Sequence, residues 1–235
     1  MIKAIIKSFH DVFMKSNRRI FYKTILLTIL SYAILVAAIS FVLMQTRLFQ
    51  VAWLDNTIDV LGSFLSAVIS LFLLPAAVSA FSELFSDKVI ENTEKKLFKK
   101  LPFAKDINLF DSFSYTLGFS IKSAFFVVGM SIAYIFTLPF LFVPFFGLIL
   151  AFTTSFSFYL VNAFILGKGY FDTVAMRYCS DEQREDIWYS NRIKFLCAGF
   201  IIAFLFSVPF VNFLAPIYSF ALMTRMFWLI KNKTS

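Results

Sequence analysis

One histidine, two cysteines, six prolines and seven glycines in 235 residues leave few of the side chains on which metal binding and soluble catalysis depend. Cys179 and Cys197 lie beside or within apolar sequence and lack metal-ligand spacing, so no disulfide, metal centre or cofactor is expected. His10 is the sole imidazole, and there is no H-E-x-x-H pair, no G-x-x-x-x-G-K-[ST] loop and no dinucleotide glycine pattern. An enzyme is therefore not expected. Charge is scarce as well: 15% of residues are charged against 60% hydrophobic, with 34 phenylalanines. A soluble fold of this length cannot bury so much apolar surface, and the surplus must face lipid. The net charge of +8 sits in short segments beside the apolar runs, where anionic headgroups attract lysine and arginine. Membrane lipid, not nucleic acid, is the expected partner.

What is present is a succession of long uncharged runs. Thr24 to Thr46 and Val60 to Ser82 carry no charge, and at about 1.5 Å per residue each crosses a hydrocarbon core of about 30 Å. The first begins after Lys23 and has no small-residue cleavage site behind it, so it is expected to stay in the mature protein rather than leave as a signal peptide. Ahead of it, Ile2, Ile5, Ile6, Phe9, Val12 and Phe13 recur at helical spacing, with Lys3, Lys7, Asp11 and Lys15 on the other face. Residues 1–20 read as an amphipathic helix, either lying on the membrane surface or packed against the protein's own cytoplasmic elements. His10 reads there as a polar bystander. After Ser82, a run of charges from Glu83 through Asp87 and Glu94 to Lys100 marks a helix leaving the membrane, which ends the second span, 60–85, and makes it aqueous.

Two further apolar regions are broken by proline. Residues 112–167 are uncharged from Ser123 to Gly167 and carry Pro139 and Pro144 near the middle. Proline removes a backbone donor and bends a helix, so the pair marks a hairpin tip, with arms of about 22 residues that are just long enough to cross. Residues 195–230 are broken by Pro209 and Pro216 around Asn212 into arms of about 15 residues, roughly 22 Å, which is short of a crossing. This hairpin is expected to dip in and return. The first hairpin either shares that form, giving two spans and two wedges, or crosses, giving six spans. Backbone freed by proline at membrane depth is tolerated only where protein or a watery cavity surrounds it, which implies tight packing or homo-oligomerisation. The expected fold is thus a single all-α integral membrane domain, with 24–46 and 60–85 spanning. Lysine and arginine populate the N-terminal segment, 83–106, 168–194 and the C-terminal tail, against Arg47 alone on the other side, so both termini are expected in the cytoplasm.

One short motif carries chemistry. In Ser16-Asn17-Arg18-Arg19, directly before the first span, Ser16 or Asn17 is placed to cap the helix, leaving outward-pointing N–H groups and two guanidiniums to receive an anion. The plainer alternative is that Arg18 and Arg19 anchor the helix at anionic lipid. A second cluster, Asp172, Arg177, Asp181, Glu182 and Arg184, contains acid and base, but its spacing fits the polar face of a solvated helix with i,i+3 and i,i+4 pairs.

Asn162-Ala-Phe-Ile-Leu-Gly-Lys-Gly-Tyr-Phe-Asp-Thr-Val-Ala-Met-Arg177, then Ala198-Gly-Phe-Ile-Ile-Ala203 and Val208-Pro-Phe-Val-Asn-Phe-Leu-Ala-Pro216, resemble the etoposide-induced-protein/CysZ family. Leu74 to Glu91 resembles the family's passage from the second span into a cytoplasmic helix. The likeness covers nearly the whole chain. It implies two long transmembrane helices plus two partial hairpins, an oligomer, and sulfate permeation across the inner membrane in support of sulfur assimilation. It also implies that Arg18 and Arg19 bind the anion, as the matching arginine pair does in CysZ-type proteins. The chain departs from the family's G-L-x-x-E motif after the second span, where Glu83-Leu-Phe-Ser-Asp87 stands instead. Because the family also holds members without an accepted transport role, a membrane scaffold that shapes the bilayer or holds partners is the competing expectation.

Overall fold

The computed structural model describes residues 1–45, 78, 81–99, 101–104, most of 121–136, then 143, 145–208 and 210–234. The described residues are all-helical, without strands. Most of the second expected span, Pro139, Pro144 and Pro209 lie outside them.

Helix α1, Ile2–Val12, has three distinct sides. Ala4, Ser8, Asp11 and Val12 are buried against the protein, while Ile2 and Ile6 are 70% and 64% exposed and Phe9 and Phe13 are exposed beside them. The buried side agrees with a helix packed against the protein's own elements, and the opposite side is an exposed apolar stripe. The expected single helix over 1–20 is corrected: α1 stops at Val12 and α2 runs from Lys15 to Gln45. The break has a visible cause. The Asp11 carbonyl accepts from the Met14 N–H at 3.2 Å and from Asn17 Nδ2 at 2.9 Å, so a side-chain amide takes the place of the next helical donor. Helix α2 restarts at once, with the Arg18 N–H donating to the Met14 carbonyl at 2.8 Å. It thus begins nine residues before the uncharged run at Thr24.

Phe81 to Glu83 are helical, Leu84 and Phe85 turn, and the polar α3 follows over Ser86–Leu97. Helix α4, Phe146–Ala175, is long and apolar enough to cross a membrane, and only 6% of its most apolar window is buried. A core helix of a soluble protein would hide that stretch, whereas here Leu148, Ile149 and Phe152 stand out from the protein. The uncharged run ends at Gly167, but the helix does not: α4 carries on for two more turns through Lys168 and Asp172, where it becomes buried.

Helix α5, Asp181–Ser190, starts at a reciprocal cap in which the Gln183 N–H donates to Ser180 Oγ and the Ser180 N–H donates to Gln183 Oε1. It meets α6, Arg192–Ser207, at a bend of 86°. A turn with a 3-10 segment at Val211–Phe213 then leads into α7, Ala215–Thr234. Arms of 16 and 20 residues replace the expected pair of about 15. Pro216 is the second residue of α7, where its missing N–H has no helical acceptor to serve. Asn212 sits in the 3-10 turn, its Oδ1 buried without a hydrogen-bond partner among the described residues.

Helix α7 is apolar nearly all round because it is surrounded: it packs on α1, α3, α4 and α6, and residues 215–228 are buried. The most extensive helix pair is α4 with α6. Their backbones meet at Ala163, Gly167 and Gly199, small residues four apart on α4 facing a glycine on α6. Phe171, Trp188, Phe195 and Phe227 fill the space beyond, with the Phe171 and Phe195 ring centres 4.5 Å apart.

Phe145 and Phe210, each directly after a proline in the sequence, adopt left-handed backbone at φ 63° and 64° and are almost fully exposed. A bulky side chain rarely accepts that conformation. It recurs directly ahead of α4, at Phe145, and directly ahead of the 3-10 turn that leads into α7, at Phe210.

Candidate anion-binding region and its supports

The start of α2 is held from two sides. Besides donating to the Asp11 carbonyl, Asn17 accepts from Asn92 Nδ2 of α3 at 2.8 Å through its Oδ1, and it is fully buried. The capping role expected of Ser16 or Asn17 is therefore corrected: α2 already begins at Lys15, and Asn17 satisfies a carbonyl of the preceding helix. Arg18 and Arg19, the next two residues, are both exposed in the first turns of α2. The structure thus separates Asn17 from Arg18 and Arg19, leaving two guanidiniums in solvent at the positive end of a 31-residue helix and one amide in the interior as their anchor. Asn17→Ala is expected to lower stability by about 1–3 kcal/mol, since Asn92 and the Asp11 carbonyl both lose a buried partner; thermal unfolding in detergent measures it.

The Glu83–Asp87 segment is placed against the C-terminal end of α4. Thr173 Oγ1 donates to Glu83 Oε1 at 3.2 Å, and Arg177 Nη1 pairs with Asp87 Oδ1 at 2.8 Å. Both acids act as ties between the stretch after the second apolar run and the α4 terminus, some distance in sequence from Arg18 and Arg19.

Three buried polar groupings were not legible as such. Asp11, fully buried, accepts from Arg225 Nε at 2.6 Å and from Lys96 Nζ at 3.0 Å, joining α1, α7 and α3. Glu94 Oε1 accepts from the Tyr178 hydroxyl at 2.6 Å and from Trp228 Nε1 at 2.8 Å. Burial first, and then the bond to Glu94 and its charge, push the Tyr178 phenol well above its ordinary pKa. Lys168 reaches Asp172 at 2.9 Å and Glu185 at 2.8 Å, lying over the Phe171 and Trp188 rings. The expected solvated face over Asp172–Arg184 is accordingly corrected in part. Arg184–Asp181 is an i,i+3 pair of the expected kind, but Arg177 instead reaches Asp87, 90 positions away, and Asp172 and Arg184 are buried and pack the α4–α5 corner. Among the described residues no group of His, Cys, Asp and Glu is placed to hold a metal ion.

Among the described residues, apolar helices are closed off by a charged, interlocked end, which points to a membrane protein. A family model, sulfate transporter CysZ/etoposide-induced protein 2.4, matches residues 4–216. The chain belongs to this family. A comparison with curated proteins finds no match. Membership of the CysZ/etoposide-induced protein 2.4 family places the chain among membrane proteins that include sulfate transporters and are not enzymes. The matched residues take in α1 through α6, the Arg18-Arg19 pair and the turn up to Pro216.

Proposed function

We propose that the chain is a permease for sulfate or a related oxyanion in the inner membrane, serving sulfur assimilation as a homo-oligomer with both termini in the cytoplasm. In this reading 24–46 and 60–85 are the two long transmembrane helices, and 112–167 and 195–230 are hairpins that enter partway. The observation that carries it is the pair Arg18 and Arg19, free in solvent at the start of α2, whose position is locked by the buried Asn17. Two guanidiniums at a helix N-terminus match a tetrahedral dianion in charge and in donor geometry. The shared left-handed phenylalanine at Phe145 and Phe210 supports the view that both hairpins turn back in the same way. Neither uncharged run contains a carboxylate or histidine for a proton relay, which favours passive movement with consumption of the anion drawing it inward.

Replacing Arg18 and Arg19 together with alanine is expected to weaken sulfate binding at least about tenfold in calorimetry while the protein stays folded, because both side chains are exposed. Undiminished binding removes the site. Uptake of labelled sulfate into proteoliposomes above the empty-vesicle background tests permeation itself.

A second reading, a bilayer-shaping scaffold that does not transport, draws support from the Glu83–Asp87 segment, where both acids are engaged in ties to Thr173 and Arg177. Wild-type protein that neither binds sulfate nor passes it would favour this reading.

A further inference from the structure

Around α1 the side chains fall into three stripes: the exposed Ile2, Ile6 and Phe9, the buried Ala4, Ser8 and Asp11, and between them Lys3, Lys7 and His10. The cationic stripe borders an open cleft between α1, α3 and α7, made of two adjoining hollows of about 480 and 300 Å³. The larger is lined by Lys7, His10, Asp11, Lys96, Leu97 and Arg225. Its charges do not balance, since Lys7, Lys96 and Arg225 face the single carboxylate of Asp11. Arg225, only 8% exposed, lines this hollow and commits Nε to Asp11, and its terminal amino groups have no protein partner among the described residues. Lys7 has no partner among the described residues, and Lys96 gives one bond to Asp11. A buried guanidinium with spare donors and a surplus of positive charge in a recess is costly unless something negative completes it.

We propose that this cleft is a second oxyanion site, separate from Arg18 and Arg19, which takes a phosphate group. Arg225 and Lys96 form its floor and Lys7 and His10 its rim. The phosphate has two possible sources with the same chemistry, a free phosphate ion or the headgroup of an anionic lipid. The exposed Ile2–Ile6–Phe9 stripe adjoins the rim on the side where acyl chains would lie if α1 rests on the membrane.

The test is calorimetry on the full chain in uncharged detergent, titrated with inorganic phosphate, with dihexanoyl phosphatidic acid and with dihexanoyl phosphatidylcholine. The wild type is expected to bind at least one of the first two and not phosphatidylcholine. Lys7→Gln/Lys96→Gln is expected to weaken that binding about tenfold, with Asp11 still paired to Arg225. Lys7→Gln alone, which removes no protein contact among the described residues, is expected to weaken it about threefold and covers the case in which the double variant is misfolded. Arg18→Ala/Arg19→Ala is expected to leave it unchanged, which separates this site from the proposed sulfate site. Tighter binding of phosphatidic acid than of phosphate assigns a headgroup as the source, and equal binding assigns the free ion. Absence of binding, equal affinity in the wild type and both lysine variants, or loss in the Arg18/Arg19 variant overturns the proposal.

Discussion

Gly199→Ala is expected to cost about 3 kcal/mol or more and to lower the melting temperature in detergent by several degrees, although it adds one methyl group. A Cβ built on Gly199 would lie 2.0 Å from the Ala163 carbonyl oxygen and 3.2 Å from the Gly167 Cα, so it meets backbone that cannot rotate away. Helices α4 and α6 would have to separate, opening the Phe171–Trp188–Phe195 cluster behind them. Gly199, Gly167 and Gly129 should rank by their neighbours. Gly167→Ala meets the Phe195 carbonyl oxygen at 3.2 Å and should cost less than Gly199→Ala, and Gly129→Ala, with nothing within 4 Å among the described residues, should change stability by less than about 1 kcal/mol. Tryptophan fluorescence on heating reads the series, since Trp188 packs on Phe195 at the crossing. A Gly199→Ala protein that melts with the wild type would mean that the crossing is looser than its geometry indicates.

The membrane class and the helical content were legible because they follow from composition and from run length, which lipid thickness constrains directly. The turn between α6 and α7 was legible because proline acts locally on the backbone. Helix boundaries were less so. Nothing in Phe13-Met14-Lys15 signals a break to a reading of periodicity, because the break is set by Asn17 reaching back to the Asp11 carbonyl, a tertiary arrangement that also needs Asn92. The same limit applies to charge. Lys96, Lys168 and Arg225 entered the sequence argument as headgroup-facing cations, and the structure turns each toward a carboxylate. Charge counting bears on which side of the membrane a segment is expected, not on where its side chains point, and the partners of these residues lie up to 214 positions away. A faint signal existed at Asp11, the lone acid in an otherwise basic N-terminal segment, on the side of α1 opposite Ile2 and Ile6. Gly199 was quoted within a motif without its meaning, since close backbone approach appears only when α4 is set against α6.

Asp11 is the residue whose loss should be felt furthest. Its carboxylate is fully buried and binds a guanidinium that is 8% exposed, so Asp11→Ala strands Arg225 in the interior and is expected to destabilise by about 3–5 kcal/mol. Lys96 adds little to that loss, because its side chain is about one-third exposed and can turn to water. Arg225→Met should cost less than Asp11→Ala, since Lys96 remains at 3.0 Å to hold the carboxylate. The double variant should recover part of the damage, because the partner left without compensation in each single variant is gone, giving a coupling of at least about 1 kcal/mol in the double-mutant cycle. The bond from the Asn17 side-chain amide to the Asp11 backbone carbonyl survives all three substitutions, so the α1–α2 junction is not what the cycle reports. Additive single effects in thermal or denaturant unfolding would show that Asp11 and Arg225 do not depend on one another. That result would detach α1 from the C-terminal helix on which this packing rests.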